Sequence, residues 1–246
     1  MKLSAELSTL SSEKGRISGI QSLGAVDGPG LRTVVFGVGC PLRCAYCHNP
    51  ETWTEKGEEV TAGELAQKIL RYKPYIAQGG VTFSGGEPLL QAKFFTALAR
   101  LLKDEGLHVA VDTSGNVAGE DVDELIENID LALLDVKFTN EEDYRKYTGG
   151  SLAQALDFAR KIKKAGKRLW IRQVIVEGIN DGEENIRLLK EIISPFADVI
   201  DKVELLPFRK LCSEKYDRLG LNFPFAVHPE TSTETINHLV EILKSE

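Results

Sequence analysis

Three cysteines fall within eight residues, in the stretch Gly39-Cys40-Pro41-Leu42-Arg43-Cys44-Ala45-Tyr46-Cys47-His48-Asn49-Pro50. The spacing is C-x3-C-x2-C. Cysteine thiolates hold iron–sulfur cubanes, and three ligands this close in sequence can wrap one [4Fe-4S] cluster while leaving its fourth iron without a protein ligand. An open iron is what catalysis at a cluster requires. The competing chemistry is a zinc site of the Cys3His type, which would make the chain a zinc-stabilised interaction module. Zinc ligands normally come in two separated pairs, whereas this trio has no second pair, and His48 directly follows Cys47, poorly placed to join the same ion. Cys212 stands alone far downstream and reads as a packed small apolar residue.

Other segments gather polar and small residues where strands are expected to end. Val81-Thr82-Phe83-Ser84-Gly85-Gly86-Glu87-Pro88 is a strand followed by two glycines and an acid. Glycine lets backbone approach a ligand closely, although Gly-Gly after a strand is ordinarily a turn. Asp112-Thr113-Ser114-Gly115 and Asp135-Val136-Lys137 each close a further strand. Alone, each reads as a loop cap or an exposed ion pair. Asp27-Gly28-Pro29-Gly30-Leu31-Arg32 reads first as a turn entering a strand.

The elements that must position these residues alternate. Apolar, β-branched runs predict strands at Leu31–Val38, Gly80–Ser84, His108–Asp112, Leu131–Val136, Leu169–Val176 and Lys202–Leu206. Helical periodicity predicts Ala62–Tyr72, Ala92–Glu105, Asp121–Ile129, Ser151–Ala165, Glu183–Ile193 and a last helix near Thr233–Lys244, with Gly106 and Gly166 as C-caps. An extra strand around Arg16–Ser22 is expected at the edge. This is an α/β pattern. Six βα units are too few for a closed eight-stranded barrel, so the expectation is an open partial (β/α)6 barrel with its functional groups at the carboxyl ends of the strands. A short N-terminal extension, 1–14, and a single domain, 15–246, follow.

At 246 residues, with 42% hydrophobic and 27% charged residues, the composition is that of an ordinary globular chain. No apolar run approaches the length of a membrane span, and no secretory signal opens the chain, so the expectation is a cytoplasmic protein without a membrane partner. A formal charge of -7 with no dense basic face excludes nucleic acid as a partner.

With Tyr46 just before the third cysteine, the loop resembles that of the radical S-adenosylmethionine (SAM) superfamily, and Gly85-Gly86-Glu87 resembles its GGE motif. The segments at Asp112, Asp135 and Asp27 are similar to those of the glycyl-radical-enzyme activases within it, as is Trp170-Ile171-Arg172. The resemblance runs from about Gly15 to the last helix. It implies a radical SAM barrel, a [4Fe-4S] cluster on Cys40, Cys44 and Cys47 as catalytic centre, and SAM held by Tyr46, Asn49, Gly85, Gly86, Glu87, Asp112, Lys137 and Arg209. It also implies a monovalent cation, Na+ or K+, among Asp112, Thr113, Leu133 and Asp135, and a substrate peptide against Asp27, His48 and Arg172. In that family one electron from the cluster splits SAM, and the resulting 5'-deoxyadenosyl radical removes a hydrogen atom from its target.

The target so implied is a glycine in a large partner enzyme of anaerobic carbohydrate metabolism. Residues 49–81 lack the extra cysteines of some activases, which favours pyruvate formate-lyase as partner, with flavodoxin or ferredoxin as electron donor. Two positions depart from the pattern: Arg209, where such activases often place His, and Glu177, where they often place Pro. A radical enzyme acting on a small molecule, of the queuosine-pathway type, is the alternative; the segment at Asp27 and the full-length match count against it.

Overall fold

In the computed structural model, which describes residues 8–54 and 56–245, a single eight-stranded sheet organises the chain. Its strands are β1 (Lys14–Gly24), β2 (Arg32–Gly37), β3 (Glu58–Thr61), β4 (Gly80–Gly85), β5 (Val109–Thr113), β6 (Leu131–Asp135), β7 (Arg168–Ile175) and β8 (Ile200–Pro207). They lie in the order β3-β1-β2-β4-β5-β6-β7-β8. Strand β2 and strands β4 to β8 run parallel, while β1 is antiparallel to both β2 and β3. The parallel strands are those expected from the sequence. The sheet ends at β3 and β8 without closing, so the α/β fold is the open, partial barrel.

The helices are α1 (Ala62–Leu70), α2 (Lys73–Ile76), α3 (Ala92–Asp104), α4 (Glu120–Asn128), α5 (Glu141–Thr148), α6 (Leu152–Lys164), α7 (Glu183–Ile193), α8 (Ser213–Leu219) and α9 (Thr233–Lys244); α8 and the end of α5 meet the cysteine loop instead of the sheet. Their starts are fixed by local chemistry. Thr61 and Glu64 form a capping box on α1, and Asn140, Ser151 and Ser232 cap α5, α6 and α9 with their side chains.

Side chains alternate across a strand, which divides each one between two environments. Val81, Phe83, Val109, Val111, Ala132, Leu134, Leu169 and Ile171 join the main core under the helices. Ala110, Leu131 and Leu133 form a separate small cluster with Trp170 on the opposite, inner face. Ser84, Asp112, Asp135 and Arg172 share that inner parity one or two steps further along, so hydrophobic floor and polar wall are written into the same strands.

One expectation needs correction. The strand near Arg16–Ser22 is not the edge, because β3 pairs outside it from Lys14 with Thr61 to Ile17 with Glu58; the outer backbone row of β1 would otherwise be left unpaired. Of the expected extension 1–14, residues 1–7 lie outside the described residues, while Leu10 packs on the core and the Glu13 carbonyl accepts from Ala62 N (2.8 Å). Among the described residues no helix is long and apolar enough to cross a membrane.

Candidate cluster and cofactor site

The cysteine loop leaves the carboxyl end of β2 and is held from three sides. Gly39 N donates to Thr52 O (2.8 Å), closing the loop on itself. Gly86 N donates to Gly37 O (3.0 Å) and Glu87 N to Gly39 O (2.8 Å), tying the β4 loop to it. Gly85 has φ +115°, open to glycine and strained for other residues, and a Cβ on Gly86 would collide with the Gly39 carbonyl oxygen. On the far side, Arg43 N and Ala45 N donate to Thr148 O and Tyr147 O at the end of α5, each at 2.8 Å.

The segment after β8 supplies the third brace. Lys215 Nζ donates to Asn49 Oδ1 (2.8 Å) and pairs with Glu51 (2.6 Å). Tyr216 donates its hydroxyl to Cys47 O (3.2 Å), and His48 Nε2 donates to Arg209 O (2.9 Å). Phe225 packs against Tyr46 at 6.0 Å between centroids.

These loops enclose a cavity of about 280 Å³. Cys40, Cys44, Cys47, Tyr46, His48 and Asn49 line one side, and Ser84, Gly85, Gly86, Asp112, Thr113, Ser114, Asp135, Lys137 and Arg172 the other. Burial pushes the Cys40 thiol up to about 11 and the Cys44 thiol up to about 12, and raises Cys47 as well. Thiols so held stay protonated until a metal displaces the proton, which suits ligands better than free nucleophiles. Tyr46 is one of the residues lining the cavity, and its buried hydroxyl has no hydrogen-bond partner among the described residues.

A family model of the Radical SAM superfamily matches residues 34–189. A pyruvate formate-lyase-activating enzyme of Clostridium pasteurianum is 45% identical over 237 residues, 94% of this chain and 99% of the relative. The chain belongs to the radical SAM superfamily. Among solved structures, a domain of a pyruvate-formate lyase-activating enzyme from Bacteroides vulgatus is 27% identical with a TM-score of 0.55, covering 67% of this chain and 92% of that one. QueE from Escherichia coli shares the fold alone, at 20% identity and TM-score 0.53 over 88% of this chain and 96% of that one.

A radical SAM enzyme carries a [4Fe-4S] cluster and SAM, and the cavity has the donor set for both. Three thiols face the backbone of Gly85 and Gly86 and a patch of fixed charges. Among the described residues no three His, Cys, Asp or Glu side chains converge on a single-ion point; a cubane spreads its irons over separate corners, so its thiols surround a volume.

The charged patch is a closed network. Arg172 Nη2 bonds Asp112, Arg172 Nε donates to Asp135 (2.9 Å), and Lys137 Nζ takes the other Asp135 oxygen (2.6 Å). Ser84 Oγ donates to the second Asp112 oxygen (2.8 Å). All four carboxylate oxygens of the expected alkali-ion set therefore already have a protein partner. Thr113 turns its hydroxyl to Glu87, and Leu133 sits mid-strand in register with Asp112 and Trp170.

Besides Leu133, three residues with expected contacts do not line the cavity. Burial raises the Glu87 carboxyl, partly offset by its donors: Thr113 Oγ1 (2.6 Å), Ser114 N (2.9 Å), the Ser114 hydroxyl and Leu89 N (3.2 Å). Its side chain clamps the β4 loop to the β5 loop instead of lining the cavity. Arg209 donates to Thr231 O (2.6 Å) and does not line the cavity either. Asp27 lies on the β1–β2 loop and does not line the cavity; its carbonyl accepts from Thr82 Oγ1 in β4 (2.6 Å), below the level of Ser84, and its carboxylate is acted on by the Arg172 charge on the barrel wall.

Sequence reasoning gave no role to Ser84, Ser114, Trp53, Lys215 or Tyr216. The alternation of β4 puts Ser84 on the face of Thr82 and could have found it. Lys215, which meets Asn49 across 166 positions of chain, had no local signal.

Proposed function

We propose that this chain activates pyruvate formate-lyase, using SAM at a [4Fe-4S] cluster to place a radical on a glycine of that enzyme. The observation that carries this reading is a cysteine-lined cavity opening onto a barrel whose floor holds a carboxylate, Asp27, and whose wall holds Arg172, in a chain 45% identical to an enzyme of that name. When bound, the cluster and SAM would supply the radical chemistry for hydrogen abstraction at the glycine α-carbon.

The chain's own residues bind, orient and shield. Cys40, Cys44 and Cys47 would hold the cluster, in a cavity that Gly85 and Gly86 also line. Asp135 keeps the Lys137 ammonium charged although burial alone would pull it down, so a fixed cation faces the site of the SAM carboxylate. Tyr46 and Phe138, 6.1 Å apart, exclude water beneath the cluster loop. His48, its Nε2 proton engaged by the Arg209 carbonyl, stands at the mouth where a peptide enters. A low-potential flavodoxin or ferredoxin supplies the electron, and the reaction runs in the reducing cytoplasm, where thiols stay available.

The test is to incubate reduced, cluster-loaded protein with SAM and pyruvate formate-lyase and record an electron paramagnetic resonance spectrum. A glycyl-radical doublet is expected. Its absence, with a competent cluster that still cleaves SAM, would overturn the assignment.

A further inference from the structure

The side chain of Arg32 is fully buried at the first position of β2, and no carboxylate touches it among the described residues. A buried guanidinium normally has an acid beside it. Here its fork is filled by neutral acceptors: Nε donates to Thr82 Oγ1 (2.6 Å), Nη2 to Val81 O (2.6 Å), and Nη1 to Pro29 O (3.1 Å) and to Gly79 O. Nη2 also stands 3.2 Å from His108 Nδ1.

The chain from Asp27 to Gly30 is wrapped around this fork. Thr82 relays it one step further, accepting from Arg32 and donating its own hydroxyl proton to Asp27 O (2.6 Å). A Cβ on Gly28, which has φ +125°, would lie 3.1 Å from Arg32 Cδ and Nε, and one on Gly30 2.9 Å from Gly79 Cα. The main chain of Asp27 is thus pinned on both sides, yet its half-buried carboxylate meets no hydrogen-bond donor among the described residues. The charges acting on it are Arg172, across the barrel, and Arg32.

We propose that Arg32, through Thr82, is the positioning residue that fixes the main chain of Asp27, and with it the point from which the Asp27 carboxylate reaches a main-chain N–H of the incoming glycine peptide. This rests on the glycyl-radical activation proposed above. A backbone preset in this way saves the ordering cost that a mobile loop would impose on binding. The fork matters as well as the charge: a lysine at this position carries one point charge on a flexible stem and cannot hold Thr82, Pro29 and Val81 together.

The experiment is a double-mutant cycle on anaerobically loaded protein, with a synthetic peptide carrying the glycine loop of pyruvate formate-lyase as probe. Thr82→Val and Arg32→Lys are each made with and without Asp27→Asn, and peptide Kd is read by calorimetry beside KM and kcat for peptide-dependent 5'-deoxyadenosine release. In the Asp27 background each change should raise Kd and KM about tenfold, the weight of a hydrogen bond to a charged group, with a smaller effect on kcat. In the Asp27→Asn background the same change should add less than about twofold, because partners that act through one group are not additive.

Penalties that multiply in full across both backgrounds, or a Kd that no variant moves, would overturn the positioning role. Should Arg32→Lys lose its cluster through misfolding, Thr82→Val, which keeps the guanidinium and its carbonyl acceptors at Pro29, Gly79 and Val81, decides the matter. Failure of the unsubstituted chain to bind the peptide at all would overturn the proposed function itself, and this role with it.

Discussion

Arg172 stands between two buried acids, and its guanidinium bonds both Asp112 and Asp135 while Lys137 takes the remaining Asp135 oxygen. Against its burial, Arg172 and Lys137 hold the Asp135 carboxyl below the usual carboxylate range. For Asp112, burial outweighs the help of Arg172, and its carboxyl is pushed up to about 6. Two cations and two anions thus neutralise one another on the cavity wall, where their side chains are 9–20% exposed. Removing one member leaves a buried charge without compensation, which costs about 3 kcal/mol or more. Arg172→Gln should lower the stability of the cluster-free chain by about that amount in urea denaturation, and Arg172→Lys should recover only part of it, having charge without a fork. A glutamine variant within about 0.5 kcal/mol of the parent, the range of ordinary surface changes, would show that the network carries no structural burden.

At the scale of elements, the site depends on how closely the β4 loop approaches the cysteine loop. Gly86 is the point of nearest approach, where a methyl group would meet the Gly39 carbonyl oxygen and lie 3.0 Å from Thr52 O. Both obstacles are backbone, held by the hydrogen bonds that close the cysteine loop, so neither yields by a rotamer change. Gly86→Ala should therefore push the two loops apart and lower iron content after anaerobic reconstitution several-fold, read against the same protein concentration by iron and sulfide assay. Full cluster occupancy in that variant would mean that the loops tolerate separation. The glycine was legible in the sequence; its neighbour was not. Strands β2 and β4 to β8 could be read because buried parallel strands are continuous apolar runs. By contrast, β3 is four residues of Glu-Glu-Val-Thr with two exposed acids, and α5 buries only Tyr144 and Thr148. Neither has a hydrophobic stripe to detect, yet one covers the edge of β1 and the other receives Arg43 and Ala45 of the cluster loop. The three thiols could be read for the same reason that α8 could not: short spacing is visible in a sequence, whereas Tyr216 reaches Cys47 across 169 positions.

Across the whole molecule, the cysteine loop is where β2, the β4 loop, the end of α5 and the segment after β8 all meet. Three thiols, raised by burial, face a cavity there. The folded chain alone gathers them, so a cluster that binds this state and not the unfolded one must stabilise it by linkage. A gain of several kcal/mol in a chain of this length corresponds to a rise in Tm of about 10 °C. Cluster-loaded protein should accordingly melt about that much higher than chelator-stripped protein under anaerobic calorimetry. Stripped protein should also be cut first within residues 40–54 by a nonspecific protease. Cys44→Ala supplies the control, since it removes a ligand 9% exposed at the centre of the loop: it should bind no cluster, show no difference between reconstituted and stripped samples, and match the stripped parent in protease sensitivity. Equal melting of loaded and stripped parent would instead mean that the braces from α5 and from Lys215 and Tyr216 already order the loop fully, with cluster binding too weak to add to it.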